Sequence, residues 1–92
     1  MDDNRQRRFA CTPDVVWKDV GGEIVLIHLE TNQIHELSRT GARLWALLDE
    51  GKSVGEAETI LMEEFSVDEE TVRVETDALV EELLLRELVE EQ

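Results

Sequence analysis

The sequence predicts an α+β domain in which a three-stranded antiparallel meander is followed by three α-helices. Up to about Leu37, apolar residues come in short β-branched runs broken by Gly21-Gly22 and Thr31-Asn32. From Arg39 onward they recur at helical spacing. The 92 residues, 41% hydrophobic and 35% charged, have globular composition despite a net charge of −14, and suffice for one core.

Residues 1–13 are polar, lack periodicity and end at Pro13, so they are expected to be a flexible N-terminal segment ahead of a domain over 14–92. Val15 to Val20 is β-branched and aromatic, and Gly21-Gly22 can supply the positive φ angles of a two-residue hairpin. Glu23 to Glu30 is the return strand. It is apolar on both faces, as suits the middle of a sheet. Thr31-Asn32 offers a second tight turn, because Asn tolerates left-handed geometry. The third strand, Gln33 to Leu37, contains Gln33, His35 and Glu36 and reads as an edge whose outer N–H and C=O groups have no partner in the chain.

Ser38 or Thr40 can cap a first helix over about Arg39 to Glu50, with Leu44, Trp45, Leu47 and Leu48 as its buried stripe and Gly51 as its stop. Ser53-Val54-Gly55-Glu56 matches a capping box and opens a second helix carrying Ala57, Ile60, Leu61 and Phe65. Ser66-Val67-Asp68-Glu69 matches another, opening a third helix to about Arg86. That helix has two apolar stripes, one with Val72, Leu79, Val80 and Leu83, the other with Val74, Ala78 and Leu85. Either both are core, or one faces a hydrophobic groove beside the third strand. Residues 86–89 either end the helix or form a last short strand.

Charge is uneven: residues up to Lys52 balance to −2, and those from Ser53 onward to −12. Such a surface repels phosphate backbones and anionic lipid headgroups, so neither nucleic acid nor membrane is an expected partner. Cys11 is the single cysteine, which excludes an internal disulfide, and no run approaches a signal peptide or a membrane span. A soluble, cytoplasmic protein is expected.

Catalytic chemistry is sparse. No glycine-rich phosphate loop, HExxH, GxSxG or EF-hand pattern occurs, and no histidine lies near Cys11 in sequence. His28 and His35, with Glu30 or Glu36, could in principle hold a metal, although strand residues of mixed polarity more often form plain surface. No enzyme activity, catalytic residue, metal or cofactor is expected, and binding is the favoured class.

The run Leu37-Ser38-Arg39-Thr40-Gly41-Ala42-Arg43-Leu44-Trp45-Ala46-Leu47-Leu48 after a meander, then Ser53-Val54 opening an amphipathic helix, resembles the PqqD family over about Val15 to Val89. Ser38 stands where that family usually has Asn. The resemblance implies a winged helix-turn-helix domain that recognises leader peptides of ribosomally made, post-translationally modified peptides. In such domains the leader adds as an antiparallel strand to the third strand and packs into the groove against the third helix.

Carried onto this chain, that implies Gln33, Ile34, His35, Glu36 and Leu37 as the docking edge and Val74, Ala78, Leu79, Glu82 and Leu85 as the helix wall. Leu44, Trp45, Leu48, Ile60, Leu61, Phe65 and Leu83 are expected in the core, and Thr40-Gly41-Ala42 is expected not to touch ligand. The partners implied are a precursor leader peptide and a leader peptidase or other maturation enzyme. Among the family's branches, an acidic chain without a radical SAM or protease segment fits the lasso-peptide branch first. A chaperone for a radical SAM enzyme of the pyrroloquinoline quinone type is the alternative, with a winged-helix DNA-binding regulator further off.

Overall fold

A computed structural model describes residues 3–92 of the chain. A 3₁₀ turn (Asp3–Gln6) is followed by β1 (Phe9–Cys11), β2 (Val15–Val20), β3 (Glu23–His28), β4 (Gln33–Leu37), α1 (Arg39–Asp49), α2 (Val54–Phe65), α3 (Glu69–Leu85) and β5 (Val89–Glu91). Strands β2-β3-β4 form the predicted antiparallel meander, and β1 and β5 form a separate two-stranded antiparallel sheet.

Gly21 and Gly22, at φ 67° and 92°, make the two-residue turn between β2 and β3, and the Asp19 carboxylate accepts a 3.0 Å hydrogen bond from the Gly22 N–H. The next connection is longer than the sequence suggests. Strand β3 stops at His28, and Leu29 to Asn32 form a four-residue loop that ends with Asn32 in left-handed geometry. On the β2 side the pairing runs one residue further, the Leu29 N–H donating to the Asp14 carbonyl at 2.8 Å, whereas toward β4 it ends at His28 and Gln33.

The helix starts follow their sequence signals unequally. Ser53 and Glu56 exchange both hydrogen bonds of a capping box at α2. At α1, Ser38 takes the extended N-cap conformation without a side-chain cap bond. At α3, Asp68 is the cap, accepting from the Thr71 N–H at 2.8 Å. Ser66, expected to open a capping box, instead ends α2 in left-handed geometry at φ 53°.

The core lies between the inner face of β2-β3-β4 and the helices. Leu26, Leu44, Trp45, Leu47, Leu61, Val72 and Leu83 are buried, whereas Ile60 and Phe65, expected in the core, are only partly covered. The Trp17 ring meets Trp45 edge-on, with centroids 6.2 Å apart.

The N-terminal segment differs most from expectation. Met1 and Asp2 lie outside the described residues, but residues 9–11 are a strand, paired as Phe9↔Glu91, Ala10↔Glu90 and Cys11↔Val89. Phe9 is buried beneath the Arg7 guanidinium, and the Val54 N–H donates to the Arg7 carbonyl at 2.9 Å. Arg5 bridges Glu58 of α2 and Asp77 of α3. Burial pushes the Glu58 carboxyl up even though Arg5 opposes it. Three-residue strands carry too little periodicity to be read in sequence, and β1 and β5 support each other across the length of the chain.

Candidate functional site

Strand β4 is an edge of the meander, with β3 on one side only. Register sorts its side chains. Directly opposed residues of an antiparallel pair share a face, so His35 and Leu37 stand with Leu26 and Ile24 on the inner face. Ile34 stands with Ile27 and Val16 on the outer face, and Glu36 with Val25 and Lys18. Leu37 is buried, His35 half-buried, and Ile34 is 65% exposed.

A groove separates β4 from α3. It consists of two cavities of about 400 Å³ and 410 Å³ that share Glu36, Leu37, Leu79 and Glu82. The first runs past Leu37 over Thr40, Gly41, Leu44, Leu61, Val72, Glu75 and Thr76. The second runs back along Gln33, Ile34 and His35 to Leu83, Arg86 and Leu88. Its floor is apolar and its rim polar, as peptide-binding clefts require.

Leu79 narrows the middle of the groove beside Gly41, where a Cβ would lie 3.4 Å from Leu79 Cδ2 and 3.7 Å from Leu37 Cβ, at ordinary contact distances. His35 Nε2 is buried without a hydrogen-bond partner among the described residues. Arg86 at the Gln33 end holds Glu82 at 3.2 Å.

The structure gathers Gln33, Ile34, His35, Glu36, Leu37, Leu79 and Glu82 at this groove. Ala78 and Leu85 line an adjoining depression with Thr31, Gln33 and Glu87, beyond the Gln33 end. Val74 lines neither and is 64% exposed. It sits two residues from buried Val72, about 200° round the helix, and so points away from the sheet. Thr40 and Gly41 were expected to stand clear of any ligand, but they form part of the wall. Glu75, Thr76 and Arg86 escaped sequence reading because polar residues on a helix resemble ordinary surface. Only the packing of α3 against the sheet singles them out.

A three-strand meander with an open third edge, backed by a groove against the last helix, now stands beside the Thr40-Gly41-Ala42 and Leu44-Trp45 run. Residues 23–89 match the family model described as coenzyme PQQ synthesis protein D (PqqD). The chain belongs to the PqqD family. No curated protein matches it. This PqqD-family domain is also similar to a solved structure, TbiB1 in complex with the TbiA(beta) leader peptide. Identity is 34% and the TM-score 0.83, over 88% of this chain and 94% of that one.

No group of three His, Cys, Asp or Glu residues that could hold a metal occurs among the described residues. His28 is buried on the inner face, opposite Gln33 rather than His35. No helix among the described residues is long and apolar enough to cross a membrane.

Proposed function

We propose that this domain is a non-catalytic, cytoplasmic leader-peptide-binding protein of winged helix-turn-helix type. It captures a ribosomal precursor peptide as an added strand on β4 and presents it to a leader peptidase or other maturation enzyme. One observation carries the proposal: an unpaired strand edge lies beside an apolar groove, in a chain 34% identical to TbiB1, whose structure is a leader-peptide complex. Main-chain hydrogen bonds to β4 give register and affinity, while Leu37, Leu79 and Leu83 receive alternate leader side chains.

The acidic composition favours lasso-peptide biosynthesis over service to a radical SAM enzyme. The neighbouring genes test that choice: a transglutaminase-like protease and an asparagine-synthetase-like cyclase support it, and a radical SAM gene overturns it. A DNA-binding role lacks cations. Helix α2 carries no Lys or Arg, and Arg73 and Arg86 of α3 are already paired with Glu69 and Glu82.

Fluorescence polarisation with the labelled leader of the precursor encoded beside this chain tests the capture step. Saturable binding that a folded Leu79→Glu variant loses supports it. Equal binding by that variant, or none by the unaltered chain, overturns it.

A further inference from the structure

We propose that the groove selects leader strands by charge as well as shape: apolar side chains opposite His35 and Leu37, with Lys or Arg opposite Glu36 and toward the leader N-terminus. This rests on the proposal that a leader strand occupies β4, and it specifies which leaders fit.

The groove is electrostatically polar along its length. Glu36 and Glu82 line both of its cavities, and the one beyond Leu37 adds Glu75 and no Lys or Arg. Glu82 is held by Arg86, but Glu36 and Glu75 are exposed and have no ion-pair partner among the described residues. Arg86, the cation of the lining, lies at the opposite end with Gln33 and Leu88. The amino end of α1 also faces the acidic cavity through Ser38, Thr40 and Gly41. It contributes only about half a positive charge, against the full unpaired carboxylate of Glu75.

Strand direction converts this polarity into a leader pattern. Because β4 runs from Gln33 to Leu37, an antiparallel leader places its N-terminal part at the acidic end. Leader residues opposite His35 and, two positions earlier, Leu37 face the groove. The residue between them stands opposite Glu36 on the outer face, where a cation makes a favourable cross-strand pair and an acid is repelled. Further toward the leader N-terminus, the chain passes Thr40 and comes within reach of Glu75.

Selection from a displayed library of randomised peptides, against the full chain and against Glu36→Lys/Glu75→Lys, tests this. Both positions are exposed, and circular dichroism checks that the variant keeps its fold. The unaltered chain should enrich an apolar strand pattern preceded by Lys or Arg. The variant should keep the apolar positions and shift the preceding preference to Asp or Glu, and a peptide selected on the unaltered chain should bind it about tenfold more weakly. An apolar pattern without charge bias, or a bias unchanged in the variant, overturns charge selection and leaves peptide capture standing. No enriched peptide, or peptides that bind Leu79→Glu equally well, overturns both.

Discussion

The two edges of the meander, β2 and β4, offer the same kind of unpaired backbone, and each lies beside a cavity of similar size. The cavity flanking β2, about 470 Å³, is lined by Trp17, Asp19, Arg39, Arg43, Glu64 and Phe65. Several of its side chains already hold partners. Arg43 makes a bidentate pair with Glu64, with nitrogen–oxygen distances of 2.8 and 2.9 Å, and Trp17 packs on Trp45. At β4 the capacity is spare: among the described residues Glu36 and Glu75 lack ion pairs and His35 Nε2 lacks a partner, and Leu79 is only partly covered. An open edge is therefore not enough for capture. The neighbouring wall must also have contacts left to make.

The largest test removes the core beneath both edges. Trp45→Ala deletes a fully buried ring and should cost about 4 kcal/mol in chemical denaturation, enough to unfold a small domain. Next, Leu79→Glu places a charge in the groove without touching β2. Leader affinity should fall about 100-fold, with melting temperature nearly unchanged. Ile34→Glu should cost less, about tenfold, because Ile34 faces outward and meets only the leader's outer side chains. Lys18→Glu on β2 should leave leader affinity within about 0.5 kcal/mol. A loss there equal to that of Leu79→Glu would erase the distinction between the edges.

Smaller effects concern stability alone. Ser53→Ala removes one half of the α2 capping box and should cost about 1 kcal/mol. Arg7 holds the Glu91 carboxyl below the usual carboxylate range, mainly through its hydrogen bond. The contribution of that pair is complete above the unfolded value of about 4.3 and is lost as pH falls through the lower folded value. Melting temperatures of Glu91→Gln should therefore fall less steeply on acidification than those of the unaltered chain.

Much of this was legible in the sequence. Gly21-Gly22 fixes the hairpin, Ser53-Val54-Gly55-Glu56 the start of α2, and the polar character of Gln33 to Leu37 marks β4 as an edge. Each of these signals is local, with cause and consequence within a few residues. The β1–β5 sheet was not legible, because Phe9 is buried only when Val89 to Glu91 return from the far end of the chain. The groove face of α3 was not legible either. Val74, Ala78 and Leu85 are as apolar as Val72, Leu79 and Leu83, and composition cannot say which stripe meets the sheet.

By itself, the sequence determined the meander, the order of the three helices and an edge at β4, which depend on turn chemistry and periodicity, and pointed to the family through the Thr40-Gly41-Ala42 and Leu44-Trp45 run. Tertiary structure decided what that edge faces. The orientation of α3 puts Leu79 against Gly41 and Leu37, turns Val74 to solvent, and brings Thr40, Glu75 and Thr76 into the same groove. Rotation of a helix about its axis is fixed by packing against distant elements, and no local pattern in α3 contains that information.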